Sequence, residues 1–533
     1  MNNISRPQFS TRLENLLRNK GRLALLAATV RLRAPRPRGK PVILFNASTR
    51  LGDTSLNAGF SIVTAWALRM AGVPVVHFVC NAGMTRCVLG TDPDHPEQAM
   101  PCKVCVRHSR ILTVGAASRF FAYHRDDSLA AMMEKLSVDE LMRVMHENIP
   151  LGALVLPALR WRLRVHHLQD DEPTRLLFRE FILSAWNVAQ EFSRLLDETD
   201  PRAVLVFNGQ FYPEAVARFL ARRRGVRTVT HEVGLQPVSA YFTEGEATAY
   251  PIAIPESFEM NDEQNARLDA YLEKRFQGKF SMAGVQFWPE MKGLDEAFLK
   301  KAAAFKQIVP VFTNVIFDTS QPHSNVVFPD MFTWLDLVLE AVKANPDTLF
   351  VLRAHPDESR LGKAARESVA GWVARTGAAS LPNLVFVASH EFISSYELIQ
   401  RAKFVMIYNS TIGMEASIIG APVLCAGKAR FTQYPTVFFP ETVPAYRKQL
   451  DAFLRADRIP VPTKFRRNAR RFLYYQLFRT SLPFGESLEA AAPRGYVRVR
   501  PDALKRLRGD KSPAIRAVLD GILRGGDFLL EEK

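Results

Sequence analysis

The residues best suited to chemistry follow an apolar run in the letters VLRAHPDE, residues 351–358. Arg353 and His355 are two residues apart, so their side chains share one face of an extended strand. A guanidinium and an imidazole N–H can both donate hydrogen bonds to one oxyanion. Open α/β sheets usually hold ligands at the carboxyl ends of their strands, so this run predicts an anion site. A structural histidine bonded to a loop carbonyl is the alternative.

A second apolar run ends in the letters YNSTIGME, and its polar residues are typical of a helix start. Asn409, Ser410 and Thr411 are residue types that cap a helix and leave its first amides facing an anion. Gly413 has no side chain to keep a phosphate oxygen away from the backbone. Glu415 could accept hydrogen bonds from ribose hydroxyls, or simply interact with the helix dipole. Two such junctions in one domain indicate a site for a ligand that carries phosphate.

Alternating strands and helices must position these residues. The N-terminal half predicts two β-α-β units, with a mainly helical region at about 128–199 between them. Strands are predicted at residues 41–46, 73–79, 203–207, 228–231, 309–313, 348–353, 384–387, 404–408 and 422–424. Helices in the second half are predicted at residues 332–344, 361–376, 394–401 and 412–419.

This alternation predicts an α/β protein with two doubly wound, Rossmann-like domains that face a cleft, followed by a helical C-terminal tail. The predicted segments are a basic leader at 1–40, an N-terminal Rossmann-like domain at 41–260 with helical and cysteine-rich insertions, a linker at 261–305, a C-terminal Rossmann-like domain at 306–440 and a basic helical tail at 441–533.

The chain is basic, with 70 Lys and Arg residues against 54 Asp and Glu residues and a net charge of +16. Such an excess suits a nucleic acid, an anionic membrane surface or an anionic small substrate. Arginines cluster at 31–38 and 466–471, for example, but no nucleic-acid-binding motif accompanies them. No stretch reaches the ~18 uninterrupted apolar residues that would span a bilayer. A cytoplasmic protein is the default expectation, and the basic clusters extend it to contact with the inner face of the plasma membrane.

Four motifs together resemble a known group of bacterial proteins. They are TNVIFD at 313–318, RAHPDE at 353–358, NSTIGMEAS at 409–417 and GAPV at 420–423. Roughly residues 200–435 are similar to capsular polysaccharide biosynthesis proteins and related glycosyltransferases of the GT-B type. That group includes the Kdo-transferring capsule enzymes and some sialyltransferases, in which a His-Pro motif and a Ser/Thr motif hold the phosphate of a CMP-sugar. The resemblance implies a GT-B-like fold and a nucleotide-sugar donor.

The resemblance also implies roles for the residues at both junctions. Arg353 and His355, with the hydroxyl pair of the second junction, would neutralise the donor phosphate as it departs, and His355 counts among the catalytic groups. Asn314 and Asp318 would shape the nucleotide side of the cleft. The implied donor-binding set is Arg353, His355, Asn409, Ser410, Thr411, Gly413, Glu415, Asn314 and Asp318.

Two stretches of the N-terminal half, FNGQFYPE and THEVG, resemble the same group. We expect Glu232 to supply the base for the acceptor hydroxyl, or a carboxylate that stabilises an oxocarbenium-like centre. His231 is the competing base, and Asp53 in the first loop is a third candidate. Asn208 would lie on the acceptor side as well. Each of these residues could instead organise its own loop.

Two departures from related enzymes narrow the chemistry. We find no clear acidic pair followed by Gly, which supplies the base in the sialyltransferase-like enzymes, so sialyl transfer is less favoured. The one Asp-x-Asp match, residues 92–94, falls in a cysteine-rich region and not in a loop typical of metal-dependent GT-A enzymes. Catalysis without a divalent ion is therefore predicted.

Four of the five cysteines lie close together in the sequence, at Cys80, Cys87, Cys102 and Cys105. In a cytosolic protein such a group favours a structural zinc site with four thiolates over disulfides. The first interval is longer than usual for zinc, so reduced thiols, a redox pair and an iron–sulfur cluster stay open. Cys425 is expected in the core.

The favoured function is transfer of a sugar from a nucleotide-sugar donor, possibly a CMP-sugar, to a bacterial surface polysaccharide or glycolipid. One alternative is a nucleotide-sugar 2-epimerase of the GT-B fold, which needs no acceptor. Another is a non-catalytic component of a polysaccharide assembly complex that binds nucleotide sugar. The expected partners are the donor, a glycan or glycolipid acceptor and the inner membrane surface; a nucleic acid partner is not expected.

Overall fold

The computed structural model of the chain describes residues 9–46, 53–277, 292–360, 364–492 and 495–532. Internal contacts divide the chain into two units. Unit 1 comprises Met1–Arg162, Gln169–Tyr250 and Leu477–Lys533, and unit 2 comprises Leu163–Leu168 and Pro251–Gln476.

Strands and helices alternate through most of the described ranges. The strands are β1 (Val42–Asn46), β2 (Val75–Cys80), β3 (Ala117–Phe121), β4 (Ala203–Phe207), β5 (Arg227–Val233), β6 (Ser239–Thr243), β7 (Gln307–Phe312), β8 (Thr348–Arg353), β9 (Leu384–Val387), β10 (Val405–Ile407), β11 (Val423–Cys425), β12 (Leu482–Pro483), β13 (Leu488–Ala491) and β14 (Tyr496–Val499). The helices are α1 (Phe9–Arg33), α2 (Leu56–Met70), α3 (Cys102–Leu112), α4 (Asp127–Met133), α5 (Val138–Leu141), α6 (Leu151–Leu163), α7 (Glu172–Thr199), α8 (Tyr212–Arg223), α9 (Asp262–Phe276), α10 (Glu296–Ala302), α11 (Gln321–Ser324), α12 (Met331–Ala344), α13 (Val369–Thr376), α14 (Ser395–Arg401), α15 (Ile412–Ile419), α16 (Val443–Arg455), α17 (Thr463–Tyr474) and α18 (Pro513–Arg524).

Unit 1 is built on one twisted sheet with the strand order β12-β6-β5-β4-β1-β2-β3. The five strands from β5 to β3 run parallel, and β6 and β12 add an antiparallel edge. Apolar runs such as β1 and β4 are buried along almost their whole length, as expected for strands covered on both faces. The strand order reverses between β1 and β4: the chain first adds β2 and β3 on one side of β1, and then adds β4 and β5 on the other side.

Unit 2 repeats the same plan with the order β11-β10-β7-β8-β9, all parallel. Counted within each unit, both parallel sheets have the order 3-2-1-4-5 of a doubly wound fold. In unit 2 the order reverses between β7 and β10. The prediction of two Rossmann-like, doubly wound units is confirmed, and the strand ends in unit 2 lie within two residues of those predicted.

The units do not follow the predicted segments everywhere. The leader contains α1, whose Leu23, Leu26 and Val30 are buried in the core of unit 1. The linker region contains α9 and α10 and belongs to unit 2. The contacts thus assign both regions to folded units.

The tail is helical at α16, α17 and α18, but it also contains strands that the helical prediction omitted. β13 and β14 form a hairpin, and β12 pairs with β6 at the edge of the unit 1 sheet. The apolar face of α18 packs in the same core cluster as Phe60 and Trp66 of α2. The part of the tail from Leu477 onward therefore completes unit 1, whereas α16 and α17 belong to unit 2.

The helix predicted at residues 361–376 begins later in the structure than predicted. A short 3₁₀ turn at Pro356–Ser359 follows β8, and α13 begins only at Val369, because Ser368 caps it there by accepting from the Gly371 amide at 3.0 Å. Residues 361–363 lie outside the described part. Among the described helices, none is both long and apolar enough to cross a bilayer.

Candidate functional site

Two asparagines meet at the point where the unit 2 sheet reverses its order. Asn314 follows β7 and Asn409 follows β10, and Asn314 Nδ2 donates to Asn409 Oδ1 at 2.6 Å. Asn409 Nδ2 in turn donates to Ser324 Oγ at 2.6 Å, and Asn314 Oδ1 accepts from the Val315 amide at 2.8 Å. This pair fixes the two loops at the carboxyl ends of adjacent strands, the usual ligand position in doubly wound folds.

Ser410 and Thr411 come next, immediately before α15. Neither hydroxyl has a hydrogen-bond partner among the described residues, and Thr411 stands at the cap position without making a side-chain cap. The Ser410 carbonyl accepts from the Gly413 amide at 3.1 Å, which starts the helix. The first-turn amides of any helix lack intrahelical acceptors and carry the positive end of its dipole. In α15 the Met414 amide also donates, to the Thr411 carbonyl at 3.1 Å, so among the described residues the Ile412 amide is the first-turn donor without an acceptor. Two hydroxyls and this amide therefore form a donor-rich helix start.

Gly413 has a packing role in the structure, and its predicted approach to phosphate stays a prediction. A Cβ atom at this position would stand 2.2 Å from Ile407 Cδ1, so the missing side chain allows α15 to lie directly against β10. A glycine of this kind is known in dinucleotide-binding folds, where it permits close helix–strand packing. Its contribution to a ligand site is thus indirect, through the position of the helix.

Glu415 is buried at 2% exposure and lies in an ion pair that the sequence did not reveal. Arg275 of α9 donates through Nη2 to Glu415 Oε1 at 2.5 Å, and the Tyr396 hydroxyl donates to Oε2. Arg275 Nη1 also donates to the Tyr271 hydroxyl at 3.0 Å. The carboxylate is engaged with groups of its own unit and therefore has a structural role. Its role in binding ribose stays a prediction.

Arg353 is also buried, at 4% exposure. Its Nη1 donates to the Ile393 carbonyl and, at 2.6 Å, to Ser395 Oγ at the start of α14. Burial lowers the pKa of Arg353 to about 10, so the guanidinium stays charged at neutral pH. The side chain anchors the loop before α14 while it places a positive charge beneath the carboxyl end of β8.

His355 stands just after β8 and is partly exposed. Its Nδ1 accepts from the Asp357 amide at 3.2 Å, so the proton of the neutral ring is assigned to Nε2, which is then a donor. The protein packed around the imidazole lowers the pKa of His355, although the carboxylates of Asp357 and Asp318 act in the opposite direction. Asp318 is exposed, and its Oδ1 accepts from the Ser320 amide at 2.8 Å.

In unit 1, Asn208 and Glu232 lie together where β4 and β5 end. Asn208 Nδ2 donates to Glu232 Oε2 at 2.9 Å, and Glu232 Oε1 accepts from the Val233 amide at 2.9 Å. Asn208 adopts a left-handed backbone with φ of 61°, which is uncommon outside glycine, and its Oδ1 accepts from the Gln210 amide at 3.0 Å. Glu232 is partly exposed, so its carboxylate is held in place yet reachable by water.

His231 lies on the opposite face of β5. It is 1% exposed, and its ring stacks on Phe242 with centroids 5.3 Å apart, close to Phe207. Burial lowers the pKa of His231 to about 3, and its Nδ1 has no hydrogen-bond partner among the described residues. An enclosed neutral imidazole is poorly placed to take a proton from an external hydroxyl, so Glu232 is the better placed of the two candidates.

Asp53 stands at the edge of a gap in the description, because residues 47–52 of the predicted first loop lie outside the described residues. Its Oδ1 accepts from Asn19 Nδ2 at 3.2 Å and from the Thr54 amide at 2.8 Å. Thr54 Oγ1 lies 3.4 Å from Nε2 of the buried His108. These bonds tie the start of the described segment to α1 and α3, and a direct part in chemistry stays a prediction.

The four clustered cysteines occupy the end of β2, the loop after it and the first turn of α3. No disulfide joins them in the described structure. Cys425 is fully buried in β11, as expected.

A charged cluster around His167 has no signal in the sequence, because its members are far apart in the chain. His167 Nδ1 lies 2.6 Å from Glu367 Oε1, and its Nε2 lies 3.5 Å from Asp330 Oδ2. Hydrogen bonds to Asp330 and then Glu367 raise the pKa of His167 to about 10. With His166 and Asp330 it offers three ligand atoms within 4.8 Å, but a metal would have to displace the proton that both carboxylates stabilise. The cluster serves first as an ionic anchor for residues 163–168.

The motifs that follow β7, β8 and β10 lie within a match to known proteins. The family model "Capsule polysaccharide biosynthesis protein" matches residues 290–434. Protein FixF of Sinorhizobium fredii (strain NBRC 101917 / NGR234) is 28% identical over 237 residues, which are 43% of this chain and 49% of that protein. The chain thus spans about half the length of this curated relative.

Solved structures with a similar arrangement were also found. The beta Kdo 2,7 transferase of Thermosulfurimonas dismutans KpsC covers 59% of this chain and 87% of its own, with 17% identity and a TM-score of 0.33. The UDP-GlcNAc 2-epimerase from Neisseria meningitidis covers 82% and 99%, with 11% identity and a TM-score of 0.22. At these TM-scores the likeness says nothing about the substrates of this chain. The family match confirms the resemblance to capsule polysaccharide biosynthesis proteins across residues 290–434.

Proposed function

We propose that this protein is a glycosyltransferase that moves a sugar from a nucleotide-sugar donor to a bacterial surface polysaccharide or glycolipid. One observation carries the proposal: at the reversal point of the unit 2 sheet, a hydrogen-bonded asparagine pair holds a helix start whose two hydroxyls are unengaged within the described chain. Sheet reversal points of this kind bind phosphate-bearing ligands at the helix start.

The donor phosphate would lie against the first turn of α15. There the hydroxyls of Ser410 and Thr411 and the Ile412 amide would donate to its oxygens. Because β8 and β10 flank β7, the carboxyl ends of all three strands adjoin, so His355 Nε2–H belongs to the same edge. The buried charge of Arg353 adds positive potential there.

Charge develops on the nucleotide phosphate as the bond to the sugar breaks. Donors that are already oriented stabilise that charge without reorganisation, and this contribution is usually the largest in such reactions. The proposed step needs no divalent ion, because the helix start, His355 and Arg353 supply the positive potential.

Glu232 is the proposed carboxylate on the acceptor side. Held by Asn208 Nδ2 and the Val233 amide, it would accept the proton of the attacking hydroxyl, or stabilise positive charge on the sugar ring. Its partial exposure suits a group that must meet an external acceptor.

We further propose a cytoplasmic location with contact at the inner membrane face, where lipid-linked acceptors would be found. The basic run at 466–471 is partly neutralised, since Arg467 pairs with Glu259, and Arg470 with Asp269 at 2.6 Å. Arg466 and Lys464 are exposed and remain available for anionic lipid.

The donor site is tested by thermal shift and calorimetric titration with CMP, UDP, GDP and TDP. One nucleotide should raise the melting temperature, and the double variant Ser410→Ala/Thr411→Ala should weaken its binding by at least about tenfold, because hydrogen bonds to charged groups contribute roughly 1.5–3 kcal/mol each. The melting temperature of the ligand-free variant should change little, since these hydroxyls support no described group. Ser368→Ala is the matched control: it removes the cap of α13 and should lower stability while leaving nucleotide affinity intact. Unchanged affinity in the double variant would refute the assignment.

The reaction class is tested with the donor sugar that corresponds to the preferred nucleotide. Transfer to an acceptor, or slow donor hydrolysis in its absence, supports the proposal. Conversion of the donor to its 2-epimer would establish the epimerase alternative instead. Tight binding without any turnover, retained after His355→Ala, would indicate a non-catalytic binding component.

A further inference from the structure

The connection between β2 and α3, residues 81–101, contains neither helix nor strand, although the structure describes all of it. Irregular connections longer than about 12–15 residues are uncommon in compact domains, and an ordered one requires something to hold it. Cysteines stand at both of its ends and within it. Cys80 is the last residue of β2, and Cys102 is the first of α3.

Two of the cysteines are arranged in the same local way. Cys80 Sγ accepts from the Gly83 amide at 3.3 Å, and Cys87 Sγ accepts from the Gly90 amide at 3.1 Å. In both, the sulfur turns back on the amide of the glycine three residues later. A Cβ atom at Gly90 would lie 3.0 Å from Cys87 Sγ, so the glycine keeps the backbone close to the sulfur. Amide donors of this kind stabilise negative charge on a sulfur ligand.

The other two cysteines, Cys102 and Cys105, occupy the first turn of α3 three residues apart and therefore share one face. The start of a helix favours the thiolate form. The Cys87 amide donates to Met100 Sδ at 3.1 Å, which holds the turn at Cys87 beside the residues that lead into α3.

We infer that Cys80, Cys87, Cys102 and Cys105 together bind one structural metal centre through four thiolates, and that this centre closes the 81–101 connection onto β2 and α3. A bound metal ion stabilises the thiolate form, so each thiol releases its proton to solvent on binding.

The spacing of the sulfurs bears on which metal is bound. No three of these sulfurs, all of them in described residues, lie within 4.8 Å of one another. A zinc ion with Zn–S distances of about 2.3 Å needs sulfurs roughly 3.8 Å apart, so zinc binding requires the sulfurs to move closer together. An iron–sulfur cluster, which also takes four cysteine thiolates, accepts a wider arrangement. The ligand set is the same in both cases.

The test is the metal content of the full-length protein, purified without oxygen and without chelators. Elemental analysis should find zinc at one ion per chain, or iron with an equal amount of acid-labile sulfide, and either result supports the centre. In the native protein the four thiols should resist alkylation until a chelator is added. Protein that contains no stoichiometric metal, takes up none from zinc solution and has freely alkylated thiols would overturn the inference.

Variants identify the ligands. The double variant Cys102→Ser/Cys105→Ser should lose the metal, whereas Cys425→Ser, at a buried thiol in unit 2, should retain it in full. If the double variant does not fold, the metal content of the wild-type protein still decides the question. Retention of metal by a folded Cys102→Ser/Cys105→Ser protein would show that these four thiols are not the ligands.

Discussion

The buried pair of Arg275 and Glu415 allows a structural role to be separated from a ligand-binding one. The perturbation is Glu415→Gln, which keeps the shape of the side chain and removes its charge. Both partners are almost fully buried, with side-chain exposures of 7% and 3%. Burial disfavours a charged guanidinium, and the Glu415 carboxylate offsets this by raising the pKa of Arg275. A guanidinium keeps its proton in proteins even without a partner, so the arginine would stay charged after the change.

The expected loss follows from that stranded charge. Removing one partner of a buried ion pair typically costs about 3–5 kcal/mol, because the other charge is left without compensation. The Tyr396 hydroxyl can still donate to the glutamine oxygen, so its bond should persist. The double variant Arg275→Met/Glu415→Gln removes both charges and should recover most of the loss, since replacing a whole buried pair by neutral groups is often nearly neutral.

Scanning calorimetry is the suitable assay, because a protein with two units need not unfold in one transition. The transition of unit 2 should shift to lower temperature in Glu415→Gln, shift back in the double variant, and leave the unit 1 transition in place. With Arg275→Met as the second single variant, the complete cycle gives a coupling free energy, expected at roughly 2 kcal/mol or more. A Glu415→Gln protein of wild-type stability that no longer binds nucleotide would refute this reasoning and favour the ribose-binding role.

Three further predictions follow from single features. Gly413→Ala should destabilise unit 2 by about 1–3 kcal/mol in denaturant titration, because its Cβ would collide with Ile407. The control Gly371→Ala should be neutral or stabilising, because its Cβ would stand 3.4 Å from Ser368 Oγ, an ordinary van der Waals contact. Unit 1 should lose stability as the pH falls from about 6.5 to 4, because burial lowers the pKa of three histidines and only the unfolded chain then takes up protons. The expected loss is about 1.4 kcal/mol per pH unit for each histidine. An unchanged unit 1 transition at pH 5 would contradict this. These histidines are His77, His108 and His231, with pKa values of about 3, 4 and 3. Glu232→Gln should lower the transfer rate by about 100-fold or more with nucleotide affinity unchanged, and a rate near wild type would exclude Glu232 as the base.

The sheets could be predicted from sequence because their signal is local. Each apolar run of four to six residues followed by a helical pattern marks one β-α step, and the polar residues after β8 and β10 mark ligand-facing strand ends. The asparagine pair could be placed near that edge by the same reasoning. The hydrogen bond between the two asparagines could not be predicted, because Asn314 and Asn409 are brought together only by the order of strands. Local sequence patterns do not determine that order.

The features that the sequence did not reveal depend mainly on partners from distant segments of the chain. Arg275 belongs to a polar helix that looks like a linker in the sequence, and nothing in its neighbourhood indicates a buried partner near residue 415. His231 illustrates a different difficulty: alternation along β5 places it and Glu232 on opposite faces, but the sequence does not show which face is enclosed. The short tail strands β12, β13 and β14 were missed because two to four residues carry too little periodicity to be distinguished from a loop.

The return of the tail to unit 1 has a consequence for how the protein forms during synthesis. The strand β12 that covers the edge of the unit 1 sheet, and the helix α18 that fills its core, leave the ribosome after all of unit 2. Unit 2 is nearly continuous from residue 251 to 476 and can fold as it emerges, whereas unit 1 must wait with an open sheet edge and exposed core surface until the last segment is made. Fragments that stop near residue 250 should therefore aggregate, and expression of unit 1 by itself calls for a fusion that joins residues 1–250 directly to 477–533.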